Sequence, residues 1–550
     1  MKRVRLGDLL VQQGLVTPEQ LQQTLAEKDP VQKLGDALLQ RGYITEQQLI
    51  EVLEVQLGIP HVSLYRYPFD ESLFHLIPKE TAKRNLVVPL KKQGEKLYVA
   101  MSDPMDYFVI NDLRLSTGFQ IETLIAIKDD ILRTINRYYD LQESFEGWEI
   151  EKEAVQEDEA VQDSDSPAAK LVNQIVQYAI GQKASDIHID PQETKVVIRY
   201  RIDGRLHTER VLPKHMYGML TARIKIMAAM DITEQRVPQD GRIKFNYEFY
   251  QVDLRVSSLP TIHGEKLVLR LLDLGNALND VTKLGFNSLN LQRFLSLIQN
   301  PHGIVLITGP TGSGKSSTLY AALNKLNNED VNIITIEDPV EYQLEGVNQI
   351  QVNTNTGMTF GTGLRSILRQ DPNVIMVGEI RDRETAEITI RASLTGHLVL
   401  STLHTNSAIG TLTRLIDMGI EPFLLASSLT GIVSQRLIRR VCRDCREEQE
   451  ATKREKEIFV ERGLSIEKVQ RGRGCPVCNM TGYKGRIAIH ELLIVDREMR
   501  SAIANGDSSP KLRELAVRNN TIFLLDDGLL KVKQGYTTTE EVLRVATEQQ

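Results

Sequence analysis

Two stretches near the start of the chain repeat one spacing of apolar positions. Residues 5–28 (RLGDLLVQQGLVTPEQLQQTLAEK) and 33–56 (KLGDALLQRGYITEQQLIEVLEVQ) align Leu10 with Leu38, Gly14 with Gly42, Leu21 with Leu49 and Leu25 with Leu53. Each unit predicts a short helix, a glycine stop, a threonine cap and a second helix. Thr17-Pro18-Glu19-Gln20 and Thr45-Glu46-Gln47-Gln48 both fit a capping box, and Pro18 suits a first helical position. Residues 61–142 then alternate short β-type runs (Leu86–Leu90, Leu97–Met101, Ile121–Ile127) with helical stretches, a small α/β unit. From Ser166 a helix is predicted, with Leu171, Ile175 and Tyr178 on one face and Val172, Val176 and Ala179 beside them. Ile187/Ile189 and Val196–Ile202 read as strands, with hairpin turns at Asp203-Gly204 and Asp240-Gly241, and 252–272 holds two more strand-like runs. Residues 167–275 thus form a mixed α/β domain. From about 285 to 550, helices alternate with buried apolar runs, the pattern of a parallel sheet. The fold class is α/β, multidomain.

Composition alters this picture in one place. Residues 143–166 hold ten acids and one lysine with almost no apolar periodicity, so this segment reads as a flexible linker. Of 66 basic and 73 acidic residues, 65 and 63 then remain, which gives no basic footprint for nucleic acid. The length of 550 residues suits three to four domains at about 150 residues each. No run approaches the ~18 apolar residues of a membrane helix. The start, MKRVRLGDLL, lacks the apolar stretch of a signal peptide. The expectation is a cytoplasmic protein whose membrane contact is peripheral.

The chemistry gathers after residue 300. The apolar run Gly303–Thr308 leads into GPTGSGKS and then into a helical pattern, SSTLYAALNKL. This is the phosphate-binding G-x-x-x-x-G-K-S in its strand–loop–helix context. The glycines let several N–H groups face one phosphate, and the helix start adds partial positive charge. Gly309, Pro310, Thr311, Gly312, Ser313, Gly314, Lys315, Ser316 and Ser317 are the nucleotide-binding candidates. Lys315 reaches the β- and γ-phosphates and Ser316 is the Mg²⁺ ligand in such a loop. Val374–Val377 ends in Gly378-Glu379-Ile380-Arg381-Asp382, and Asn332–Ile336 ends in Glu337-Asp338-Pro339-Val340-Glu341. An acid at the end of a buried strand beside such a loop can orient Mg²⁺ or the attacking water. His397 and His404 flank one further strand region and are candidate γ-phosphate sensors; structural hydrogen bonding is the plainer role for each.

All four cysteines fall in two pairs, Cys442-x-x-Cys445 and Cys475-x-x-Cys478. Two such turns complete a closed tetrahedral Zn²⁺ site, which is structural rather than catalytic. A dithiol redox pair is the alternative.

These strings resemble the GspE/PilB-type ATPases of type II secretion and type IV pilus assembly. GPTGSGKS, ITIEDPVEY (Ile334–Tyr342), VGEIRD (Val377–Asp382), LTGHLVLSTLHTN (Leu394–Asn406) and the cysteine pairs carry the resemblance, with ASDIHID, RYRIDGR, VPQDGRI and HGEKLVLRLL upstream. The resemblance implies a RecA-like P-loop core (285–550, with the zinc insertion at about 440–485) behind a PAS-like domain (167–275), assembled as a homohexamer. It implies ATP hydrolysis with Mg²⁺ at the cytoplasmic face of the inner membrane, alongside platform and adaptor proteins and without nucleic acid. It also implies that Arg255 and Arg270 reach the phosphates, with Arg270 first, and that Arg365 and Arg369 make further phosphate or subunit contacts. Glu341 and Glu379 are joint candidates for the base, with Asp338 holding water or metal. Assembly is the favoured direction; a retraction motor or a nucleic-acid translocase on the same core stand as alternatives.

The repeat of residues 1–60 resembles the MshEN domain, which implies cyclic di-GMP binding through Arg5, Leu6, Gly7, Leu10 and Gly14 in one copy. The second copy offers Lys33, Leu34, Gly35, Leu38, Gly42 and Gln56. A helical adaptor that docks on a membrane protein is the alternative.

Overall fold

The computed structural model describes residues 6–28, 34–44, 46–62, 64, 67, 69–128, 130–132, 134–135, 139, 166–247, 250–272 and 280–546. Arg5, Lys33, Thr45 and residues 143–165 of the acidic stretch lie outside the described residues.

The repeat folds as helices Leu6–Gln12, Pro18–Glu27, Leu34–Gln40 and Glu46–Leu57. Thr17 and Gln20 form the expected reciprocal cap. Leu10, Leu38 and Val52 have no exposed surface and form its small core with Val16 and Ile44. Gly7 and Gly35 let the helices close: a Cβ would stand 3.0 Å from Leu21 at the first and 2.9 Å from Leu49 at the second.

A three-stranded sheet follows, β1 (Val87–Gln93), β2 (Lys96–Met101) and β3 (Gln120–Ile125), in that order, with β2 and β3 parallel. Ser166 then caps the helix Pro167–Gly181 by accepting from the Ala169 N–H. That helix and the helix Tyr217–Met227 pack on a six-stranded antiparallel sheet. Its strands are β4 (Asp186–Pro191), β5 (Lys195–Ile202), β6 (Arg205–Pro213), β7 (Gln239–Tyr247), β8 (Tyr250–Thr261) and β9 (Gly264–Leu272), in the order β6-β5-β4-β9-β8-β7. Asp203-Gly204 makes the predicted turn, with φ of 49° and 83°. Asp240-Gly241 does not turn the chain: both lie inside β7. Gly241 answers a different demand, because its Cβ would fall 2.4 Å from the Ala228 carbonyl oxygen.

The last sheet holds β10 (Gly303–Thr308), β11 (Ile333–Glu337), β12 (Asn348–Gln351), β13 (Val374–Val377), β14 (Leu398–Leu403), β15 (Leu429–Val441) and, beyond a two-stranded antiparallel sheet of β16 (Arg446–Glu450) and β17 (Lys468–Gly472) joined through the helix Lys453–Glu461, β18 (Tyr483–Ile494). Their order is β12-β11-β13-β14-β10-β15-β18, parallel except for β18. β10 is buried throughout, with Ile304 and Leu306 feeding one core and Val305 and Ile307 the other. That two-sided burial is why the strand reads as an unbroken apolar run. Its C-terminal end opens at the sheet edge where ligands of parallel α/β sheets bind.

Candidate functional site

The loop after β10 runs from Gly309 to Gly314 and feeds the helix Lys315–Leu326. Gly309 and Gly314 have φ of 153° and 88°, a region that favours glycine. Lys315 folds back on the loop, its Nζ donating to the carbonyls of Gly309 (2.9 Å) and Pro310 (3.1 Å). Burial lowers its pKa, with Arg436 adding to the effect and Glu379 opposing it. Pro310, Thr311, Gly312 and Ser316 are exposed, Ser317 is half-buried and Ser313 is buried. The helix start therefore presents the Ser316 hydroxyl to solvent beside the loop.

β11 and β13 are neighbours in parallel register, so their acids emerge at one edge. Glu337, the last residue of β11, is buried and accepts from the hydroxyls of Tyr320 and Thr335 and from Gln349 Nε2. Tyr320 OH in turn accepts from the Glu341 N–H at 3.1 Å. Beyond β13, Glu379 pairs with Arg381 and stands 3.4 Å from His404 Nε2. Arg381 reaches Asp338 at 3.5 Å. From β8 of the other sheet, Arg255 comes within 3.0 Å of Glu341 and donates to the Val340 carbonyl at 3.1 Å. Asp338, Arg381, Glu379 and His404 thus form one linked set of charges, and Arg255 with Glu341 forms a second.

Four candidates sit elsewhere. His397 precedes β14 while His404 follows it, so about 20 Å of strand separates them. His397 Nδ1 is 2.8 Å from the Ala392 carbonyl, a structural contact at the far edge of the sheet. Arg270, on β9, pairs with Asp186 of β4 at 3.0 Å. Arg365 pairs with Glu384, and Arg369 donates to the Arg365 carbonyl at 2.8 Å, which occupies both on their own surface.

Other residues at the site were not singled out by the sequence reading. Gln435 and Arg436, on β15, lie against the loop: Gln435 donates to the Ser313 carbonyl, and Arg436 to Gln435 O and Asn406. Tyr320 was missed as well, and Glu337 was read only as one acid of the segment that ends its strand. The available signal for Gln435 and Arg436 is polarity where burial is expected, as in Ser434-Gln435-Arg436 between the apolar pairs Ile432-Val433 and Leu437-Ile438.

The four cysteines are buried together at the end of the β15–β18 pair. Cys442 and Cys475 lie 3.9 Å apart, Cys445 and Cys478 3.8 Å, and Cys475 and Cys478 3.7 Å. A tetrahedron of sulfurs about 2.3 Å from a zinc ion has edges of about 3.8 Å, so the donor set fits that metal. The Cys475 and Gly482 N–H groups point at Cys478 Sγ at 3.2 and 3.3 Å. Hydrogen bonding from the Cys475 thiol, backed by these amides, holds Cys478 down at about 5, while burial pushes Cys442 up to about 12.

In the repeat, Gly7, Leu10, Gly35 and Leu38 are interior packing residues. Leu6 and Leu34 pack half-buried against them, Gly14 and Gly42 end helices at φ of 69° and 68°, and Gln56 is half-buried.

The type II/IV secretion system protein family model matches residues 161–544, and the MshEN domain model matches 57–145, downstream of most of the repeat. The type IV pilus assembly ATPase PilB of Myxococcus xanthus is 43% identical over 558 residues, covering 98% of each chain. The type II secretion system ATPase E of Vibrio cholerae is 50% identical over 392 residues, 71% of this chain and 78% of that one. The Legionella pneumophila ATPase DotB is similar in fold, with a TM-score of 0.53 at 23% identity over 69% of this chain and 96% of its own. Among the described residues, no helix is long and apolar enough to cross a membrane.

Proposed function

Since this chain belongs to the type II/IV secretion system protein family and is an ATPase of pilus assembly or secretion, we propose that it couples ATP hydrolysis at the Gly309–Ser317 loop to movement of its six-stranded unit. The observation that carries this reading is Arg255: it comes from that unit and meets Glu341, whose N–H is tied to Tyr320 on the helix that the loop feeds. A nucleotide phosphate competes with Glu341 for the guanidinium, so its arrival or loss changes how the two sheets are held. Lys315 binds the β- and γ-phosphates, and Glu379 or Glu341 takes the proton of the attacking water, with Asp338 and His404 orienting the set. Ser316 is the hydroxyl suited to Mg²⁺, which supplies charge neutralisation on the phosphates when bound. The four cysteines hold Zn²⁺ as a closed structural site.

The working form is a homohexamer at the cytoplasmic face of the inner membrane that drives extension of a pilus or pseudopilus through platform and adaptor proteins. Arg270, exposed on β9, and Arg365 and Arg369, exposed at the end of the helix Phe360–Ile367, remain suited to contacts that form on closure or between subunits. The N-terminal repeat is the proposed site for cyclic di-GMP, supported by its two matching copies. Calorimetric titration of the full chain with cyclic di-GMP tests it, and saturable binding lost in an Arg5→Ala, Lys33→Ala double variant is expected.

Two variants test the catalytic reading. Lys315→Ala is expected to lose nucleotide binding and hydrolysis together. Glu379→Gln is expected to bind ATP normally and turn it over at least about a hundredfold more slowly. Full hydrolysis in both variants, or strong stimulation of the wild type by DNA, would remove the proposal.

A further inference from the structure

We propose that Gln435 is a positioning residue for the phosphate loop. β15 runs parallel to β10 with Ser434 level with Thr308, so Gln435 stands beside the first residue of the loop. Its side chain is buried, at 2% exposure, where an amide is costly unless both ends are satisfied. Both are. Nε2 donates to the Ser313 carbonyl at 2.8 Å, and Oε1 accepts from Thr318 Oγ1 at 2.7 Å. The Ser313 carbonyl can only accept, so the network fixes which end of the amide faces the loop.

The consequence follows from the planarity of the peptide. In a trans peptide the C=O and the next N–H point opposite ways. Drawing the Ser313 carbonyl toward Gln435 therefore turns the Gly314 N–H away from β15, out toward the side where an anion is cradled. The same residue also crowds two of the motif's glycines, at Gly309 together with Ser313 Oγ. A Cβ on Gly314 would lie 2.8 Å from Gln435 Nε2, and one on Gly309 would lie 2.5 Å from Gln435 O. The loop's shape is thus set from a strand 122 residues further along the chain. Gln435 touches no substrate; it acts through Ser313 and Gly314.

The test uses the full-length protein and reads ATP and ADP affinity together with steady-state kcat and KM. Gln435→Met keeps the size of the side chain and removes both hydrogen bonds. The expected result is about a tenfold loss of affinity for ATP and ADP alike, a matching rise in KM, and kcat within about twofold of wild type. Thr318→Val removes the hydroxyl that orients the amide, together with its longer 3.3 Å contact to the Gly314 carbonyl, and is expected to weaken both nucleotides by about threefold, whereas Thr318→Ser, which keeps the hydroxyl, binds more tightly than Thr318→Val. This second series decides the matter if Gln435→Met does not fold. Wild-type affinity in Gln435→Met, a fall in kcat at unchanged affinity, or equal losses in Thr318→Ser and Thr318→Val would overturn the proposal.

Discussion

One phenol oxygen joins the helix behind the phosphate loop to the acidic segment. Tyr320 OH donates to Glu337 and accepts from the Glu341 N–H, so the backbone that carries Glu341 is tied to the element that carries Lys315. Burial and the neighbouring Glu337 raise the Tyr320 pKa far above that of a free phenol, which keeps it a donor at any working pH. Tyr320→Phe leaves the ring against Tyr342, at 4.3 Å between centroids, and removes both contacts. Steady-state assays should find kcat reduced roughly tenfold with KM little changed; an unaltered kcat would mean that Glu341 needs no such tether. The loop itself was legible because its demands are local, a glycine pattern between a strand and a helix. Gln435 and Tyr320 were not, since each meets its partner across many residues of chain. The two histidines misled for a related reason. They are close in sequence, but a strand lies between them, and only His404 emerges at the reactive edge.

At the level of elements, strands and helices were read with small shifts: β1 begins at Val87 because Leu86 has φ of 51° and closes the preceding helix. The misread turn at Asp240-Gly241 has a plain cause: a glycine needed for close approach carries the same letters as one needed for a turn. Two predictions belong to the β15–β18 pair. Its far end is fastened by the four sulfurs, so removing metal with a chelator, or Cys475→Ser, should lower the melting temperature and speed amide exchange across residues 440–485. Metal analysis of the native protein should find about one zinc per chain. Near its middle, His490 is fully buried and stacked on Phe286 at 3.7 Å between centroids. Burial, aided by Lys531, holds its pKa well below the ordinary 6.5. The unfolded chain therefore binds a proton below pH 6.5 that the folded chain refuses. The stability this neutral histidine contributes is present above that pH and is lost as pH falls below it. Denaturant midpoints measured from pH 7.5 to 5.5 should decline, and His490→Phe should flatten the decline.

Across the whole molecule, the contact that matters most joins two sheets. Arg255 holds Glu341 and the Val340 carbonyl with one planar group, a geometry that an ammonium does not reproduce. Arg255→Lys is therefore expected to hydrolyse ATP at least about tenfold more slowly than wild type, despite keeping the charge; wild-type turnover would place the guanidinium outside the cycle. That the chain divides into a helical repeat, two smaller sheets and a large parallel one was visible in its periodicities. Which arginine faces which acid was not, because such pairings depend on how separate sheets meet.

The four-cysteine tip touches both the N-terminal repeat and the six-stranded unit. Arg473 meets Glu51 of the repeat at 2.9 Å, Asn479 meets Gln182, and the Gly485 N–H meets Asp203 of the six-stranded sheet. The exposed Arg473–Glu51 pair is worth under about 1 kcal/mol. One strand pair thus meets the outer parts at its tip and the nucleotide loop along its length, so both lean on a single spine.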